Sequence, residues 1–261
     1  KFFETTSYIL VAKLPDLGKS FTKQEKSVTS IIISTFKNTL VLAISSIIIA
    51  IVVGVIMGIV SAINKNNIID KFILFFSALG MSLPSFFSAI LIAWFFGFVL
   101  HQYTNLEMTG SLFEIDDYGT GYHLNVKNLI LPSITLGIRP LSVITQLSRN
   151  SLLDVLNMDY IRTAKAKGLK FSKVLFKHAL MNSLNPVVTA VSGWFASLLA
   201  GAVFVEYVFG WNGLGKEIVN ALNTMDFPVV MGSVLFISIV FIIINLLVDL
   251  IYIWLDPRIK T

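Results

Sequence analysis

The chain has 261 residues, 55% of them hydrophobic and 13% charged, and a mean hydropathy of +0.80, too apolar for a water-soluble domain of this size to hide. It reads as an integral membrane protein. The absence of cysteine excludes disulfides, thiolate metal sites and cysteine nucleophiles. The net charge of +5 comes from basic residues gathered in loops beside apolar runs, where topology and lipid head groups account for them, and nucleic acid is rejected as a partner.

Residues 1–37 form a mixed segment with Pro15, Gly18 and several charges, expected outside the membrane. Its first residue is Lys1 and nothing near it looks like a signal peptide, so the natural beginning is expected upstream. The remainder, 38–258, reads as one transmembrane domain. From Asn38 to Ile63 no charge occurs, more than the roughly 20 residues that cross about 30 Å of hydrocarbon as a helix. Gly54 and Gly58 make a GxxxG in this run and Ala62 extends the row, so one face can approach a neighbouring helix closely. After a short turn with Lys65, Asp70 and Lys71, a second uncharged run spans Phe72 to Leu100. Pro84, preceded by Ser82, must kink or break it, because lipid cannot replace the lost backbone donor; a structural kink and a pathway-lining bend are both consistent with that.

The loop from His101 to Lys127 carries Glu107, Glu114, Asp116 and Asp117 and belongs outside. Adjacent carboxylates in a loop need not converge, so Asp116 and Asp117 read as solvated. A third span, Asn128 to Ser148, holds Arg139-Pro140 near its middle; a charge there should face protein or water. Spans four and five run from about Pro186 to Val205 and from about Val229 to Trp254, with Lys216 to Asn223 as a short helix between them and Asn245 and Asp249 late in the fifth. Two readings of Arg139 stand: it pairs with Asp249, or it lines a wet pathway while Asp249 reaches the membrane surface. The topology is five spans, N-terminal segment outside and C-terminus inside. The lysines of the N-terminal segment run against the orientation rule, and the other four loops outweigh them.

The one long polar stretch between apolar runs is 150–185. Asp159 can cap a helix from Tyr160 to Lys167, Gly168 sits where a left-handed residue would end it, Ser172 can cap a second helix, and Asn185-Pro186 ends that. The result is helix, glycine corner, helix. Its excess of Lys and Arg places it in the cytoplasm, and on charge alone it reads equally well as a docking knob or as an ordinary positive loop that only fixes topology.

Other motifs yield less. Gly210 to Glu217 reads G-x-x-x-x-G-K-E, one residue from a phosphate loop, but the final hydroxyl is missing and a membrane span precedes it, so it is a decoy. His101, His123 and His178 have no metal-ligand spacing, no hydrolase motif occurs, and neither a metal site nor an enzyme is expected.

Tyr160 to Leu169, reading Tyr-Ile-Arg-Thr-Ala-Lys-Ala-Lys-Gly-Leu, resembles the EAA loop of binding-protein-dependent ABC importer permeases, in its oligopeptide, dipeptide and nickel branch. Two further stretches are similar to the same family. Glu206 to Gly215 resembles its outer loop, with Asn212 replacing a usual Pro, and Asn245 through Arg258 resembles the C-terminus of the first of the two permeases of peptide systems. Asp16 to Ser20 resembles the segment that follows a first helix, which would then lie upstream.

The resemblance implies an all-α, type I importer transmembrane fold in a bacterial or archaeal cell membrane. It implies as partners a second permease, two cytoplasmic ATPase subunits and an extracytoplasmic substrate-binding protein. ATP and Mg²⁺ would sit on the ATPase subunits, with no cofactor on this chain. Coupling to them would fall to Tyr160, Arg162, Thr163, Ala164, Lys165 and Ala166 on the first helix and to Lys167, Gly168 and Leu169 at its corner. Ser82, Pro84, Arg139, Asn245 and Asp249 are the candidates for pathway or buried polar roles. Peptide is favoured over a nickel chelate as cargo by branch frequency alone. A channel or secondary transporter would share the isolated polar residues but should show an inverted repeat, and none is visible.

Overall fold

The computed structural model describes residues 16–23, 26–115 and 121–255. Asp116, Asp117 and Asp256-Pro257-Arg258 lie outside the described residues, as does the side chain of Asp249.

The first helix, α1 (Val28–Ile63), starts at Val28, so the last part of the segment expected outside the membrane is already helical. Ser27 caps it, extended at φ −64° and ψ 135° and accepting from the Ser30 N–H, while Val28, Ile31 and Ile32 are buried; the cap and this apolar face outweigh the charge of Lys37. A turn with Asn66 at φ +65° leads to α2 (Ile68–Ser82) and α3 (Ser85–Ile92), the latter continuing as a π-helical Ala93–Val99. The two helices meet at Leu83-Pro84 with a bend of 113°, so the expected second span is broken where proline removes the donor. Then follow α4 (His101–Thr104) and the antiparallel pair β1 (Phe113–Ile115) and β2 (Tyr122–Leu124), a hairpin inside the expected outer loop.

Helix α5 (Lys127–Leu156) runs unbroken through Pro132 and Pro140, longer than the third span read from sequence. After it come α6 (Asp159–Ala166), α7 (Phe171–Lys173), the π-helical Val174–Ala179 and α8 (Leu180–Ser183). The expected fourth span is divided between α9 (Asn185–Gly201) and α10 (Val203–Val208). Asn185-Pro186 opens α9, because the first helical turn has no bond for proline to break. The chain closes with α11 (Leu214–Asn223) and α12 (Phe227–Leu255).

The centre is the crossing of α1 and α5, and the glycine row of α1 makes it possible. A Cβ on Gly58 would lie 2.5 Å from the Cβ of Ser148 and 2.8 Å from the Thr145 carbonyl oxygen, and one on Gly54 would lie 2.9 Å from the Ile144 side chain. Around the crossing, Leu42, Leu131, Leu136, Leu198, Phe209 and Trp211 form the main core. Outward, Phe72, Phe75, Trp94, Phe98, Ile242 and Leu246 are exposed, the pattern of helices that meet lipid or another subunit rather than water. By length and apolarity α1, α5 and Phe227–Val248 of α12 can each cross a membrane, and the bent pair α2–α3 can form a fourth span.

Candidate functional site

The basic stretch folds as helix, corner, helix. Asp159 is the first residue of α6, and the capping position belongs to Met158 in extended conformation (φ −68°, ψ 150°). Ser172 likewise falls inside α7, with Lys170 before it. Gly168 takes the left-handed conformation expected of it, at φ +75°. Its N–H donates to the Lys165 carbonyl (2.9 Å) and that of Leu169 to the Ala164 carbonyl (3.4 Å), the paired bonds of a Schellman corner. Leu169, just past the corner, packs with Ala164 against the same cluster.

That cluster divides the nine expected coupling residues. Ala164 is buried with Ile161, Val174, Leu175 and Ala179 against Ala62 of α1 and Leu152 and Val155 of α5, and Leu169 packs on its edge. Tyr160, Arg162, Thr163, Lys165, Ala166, Lys167 and Gly168 are exposed. One side of the knob therefore grips the ends of the two central helices, and the other presents a basic surface. Its own polar links are few: Asn182 Nδ2 donates to the Tyr160 hydroxyl (3.1 Å), and Arg162 meets Asp159 at 3.4 Å with both side chains mostly in solvent. His178 is half-buried within the π-helical turn, in keeping with a structural part.

Next to the knob lies an arrangement that sequence reading missed. Arg149 of α5 donates from Nε to Asp70 Oδ1 and from Nη2 to Asp70 Oδ2, both at 2.7 Å. The Ser61 hydroxyl and the Asn66 N–H complete the donors to that carboxylate. Read locally, Asp70 is only a counter-charge to Lys65 and Lys71 in its turn, and Arg149 only one more basic residue beside the polar stretch. An acid in the first turn of one span and an arginine in the last turns of another was the available signal.

The pathway candidates do not converge. Ser82 is exposed at the end of α2, donating to the Ala78 carbonyl (2.9 Å), and Pro84 is exposed at the break. A cleft of about 360 Å³ beside the break is lined by Gly80, Leu83, Ser88, Ile138 and Ser142. Arg139, one residue beyond Ile138, is exposed, and among the described residues it has no ion-pair partner. Asn245 donates to the Phe241 carbonyl of its own helix (2.9 Å).

At the opposite end, Glu206 and Trp211 are both 0% exposed. Glu206 Oε2 accepts from the N–H groups of Gly215 (2.7 Å) and Lys216 (3.1 Å), so the first turn of α11 is capped from within the chain. The backbone donors that would serve a phosphate in a true nucleotide loop are thus engaged here. Trp211 Nε1 donates to the Asn38 carbonyl (3.0 Å), and the Leu214 N–H to Thr39 Oγ1 (2.8 Å). Asp226 accepts from the Ser20 hydroxyl, the Phe21 N–H (3.2 Å) and the Thr22 hydroxyl (2.8 Å), and Lys23 reaches Glu217 at 2.6 Å.

A family model described as "Binding-protein-dependent transport system inner membrane component" matches residues 50–261. The chain is 38% identical over 258 residues to the dipeptide transport system permease protein DppB of Alkalihalophilus pseudofirmus, covering 94% of this chain and 77% of that one. It is 34% identical over 251 residues to the oligopeptide transport system permease protein AppB of Bacillus subtilis, with coverage of 94% and 76%. Among solved structures, an inward-facing form of the MetNI methionine ABC transporter superposes with a TM-score of 0.64 at 16% identity, covering 85% of this chain and 95% of that one. At that identity the likeness shows the fold, an ABC importer transmembrane domain.

Proposed function

Because the chain belongs to the binding-protein-dependent transport system inner membrane component family, we propose that it is one of two permease subunits of an ATP-driven importer of dipeptides or oligopeptides. The observation that carries the cargo class is the identity of 34–38% to dipeptide and oligopeptide permeases along nearly the whole chain. The exposed basic side of the knob is the surface that one of two cytoplasmic ATPase subunits engages, and ATP and Mg²⁺ belong to those subunits. An extracytoplasmic binding protein delivers peptide to the opposite end, and the second permease covers part of the exposed apolar faces.

In this mechanism the permease does no chemistry. Closure of the ATPase subunits on ATP displaces the knob, and the knob carries with it the ends of α1 and α5, to which it is bound by the Ala62, Leu152, Val155, Ile161 and Ala164 cluster. Transport then follows from rocking of helices about a packed centre, as interfaces of this kind switch between discrete arrangements. Ser82, Pro84, Arg139, Asn245 and Asp249 remain proposed candidates for pathway or buried polar roles.

The knob and the C-terminus are cytoplasmic, with the β1–β2 hairpin outside. In a chain without native cysteine, Leu124→Cys is expected to react with an impermeant thiol reagent in intact cells and Lys170→Cys is not; the reverse pattern overturns the orientation. The function is tested by co-expressing the chain with its neighbouring subunits. Copurification of an ATPase whose hydrolysis rises with peptide-loaded binding protein supports it. Copurification without stimulation by any peptide contradicts the cargo assignment.

A further inference from the structure

The apolar cluster that binds the knob contains residues of α1 and α5 but, among the described residues, none of α2. Yet α2 leads to the broken segment at Leu83-Pro84, bent by 113°. Near the break α2 packs on α5 through Gly80 against Ile138 and Ser142, and at the knob end the Asp70 carboxylate is placed to tie it to α1 and α5 together. Asp70 lies in the first turn of α2, is 2% exposed, and receives Arg149 of α5 in the two-pronged geometry that fixes both distance and orientation. Ser61 of α1 and the Asn66 N–H of the intervening turn fill its other acceptor positions.

Both anchors stand one step from the knob. Ser61 immediately precedes Ala62, and Arg149 lies one turn before Leu152, and Ala62 and Leu152 are both members of the knob cluster. The height of Arg149 against α1 is set by the glycine contact, since a Cβ on Gly58 would lie 3.1 Å from the Arg149 backbone nitrogen.

We propose that Asp70 and Arg149 are the positioning pair that makes α2 follow the knob, so that displacement of the α1 and α5 ends is delivered to the Leu83-Pro84 break. Neither residue touches cargo or nucleotide. This rests on the importer reading given above. A carboxylate held by three side-chain donors and one backbone donor cannot slide as an apolar contact can, and its buried charge keeps it from releasing the arginine. Loss of the pair leaves the knob on its cluster, free to engage the ATPase subunits, while α2 no longer follows.

The experiment measures peptide imported per ATP hydrolysed in proteoliposomes containing the complete complex, with binding protein and a labelled dipeptide. Asp70→Asn and Arg149→Lys are expected to hydrolyse ATP within about twofold of the unmodified complex while importing at least fivefold fewer peptides per ATP. Ser61→Ala, which keeps the ion pair and removes one donor, is expected to lower the ratio about twofold; it also serves where the first two variants fail to assemble. Unchanged ratios, or a fall of hydrolysis and import in proportion, overturn the proposal. An unmodified complex whose ATPase ignores peptide contradicts the importer reading instead, so the two failures are told apart.

Discussion

The two ends of the bundle are built differently. At the α10–α11 end, polar groups are buried and joined across long sequence distances. Glu206 caps α11, Trp211 hangs from Asn38, and Asp226 gathers Ser20, Phe21 and Thr22. At the knob end, the tie to the bundle is a small apolar cluster and a glycine corner, and most polar side chains face outward with few links. The first end makes most of its polar bonds within its own chain. The second holds a rigid shape while leaving its donors free, which is what a surface awaiting a partner requires, because desolvated hydrogen bonds made to the partner are not already made at home.

The difference can be broken by substitution, and the largest effect belongs to the internally bonded α10–α11 end. Trp211→Ala removes a fully buried aromatic and its bond to Asn38, a loss expected at about 3–5 kcal/mol; detergent thermal unfolding should show a strongly lowered midpoint and little assembled complex. Asp226→Ala should follow at about 1.5–3 kcal/mol, the usual worth of hydrogen bonds to a charged group.

Burial, the largest influence on the Asp226 carboxyl, pushes its pKa up, but the bonds from Ser20, Thr22 and the Phe21 and Thr22 backbone outweigh it and hold the pKa at about 2. Its contribution is therefore present above the ordinary 3.8 and is lost as pH falls through about 2. The stability gap between the parent and Asp226→Ala should close over that interval in pH-dependent unfolding, and a gap that persists would assign the loss to packing.

The knob should respond in function before stability. At Gly168 the φ of +75° strains a β-branched residue by of order 1–3 kcal/mol, enough to reorient the two short helices and too little to unfold the bundle. Gly168→Val is expected to stay in the membrane and lose peptide-stimulated ATPase activity; unchanged stimulation would remove the corner from the coupling account. The smallest effect is that of Arg162→Ala. Its pair with Asp159 is open to solvent and contributes under about 0.5 kcal/mol, so the unfolding midpoint should hold while binding of the ATPase subunits weakens.

Much of this was legible in the sequence because local chemistry dictated it. The charge-free runs located the membrane helices, proline located the break in the second, and the spacing around Gly168 located the corner. The GxxxG row marked a close-packing face, although only the fold shows that α5 fills it. What stayed hidden depends on distant partners. Asp70 and Arg149 are 79 residues apart, and each has nearer charges that explain it locally. The start of α1 at Val28, ahead of the charge-free run, was hidden because Val28, Ile31 and Ile32 count as helix only once α11 and α12 cover them. Local capping chemistry also misled by one residue at Asp159 and by two at Ser172, since extended Met158 and Lys170 end their segments without side-chain help.

The contrast between the ends comes down to which one receives the ATPase. A photoreactive amino acid placed at Lys167, on the exposed side of the knob, and in a separate variant at Lys216, at the opposite end, tests this in intact complexes irradiated in membranes. The account predicts a covalent product with an ATPase subunit from position 167 and none from position 216. Capture of the ATPase from position 216, or its absence from position 167 in a complex that hydrolyses ATP in response to peptide, would contradict it.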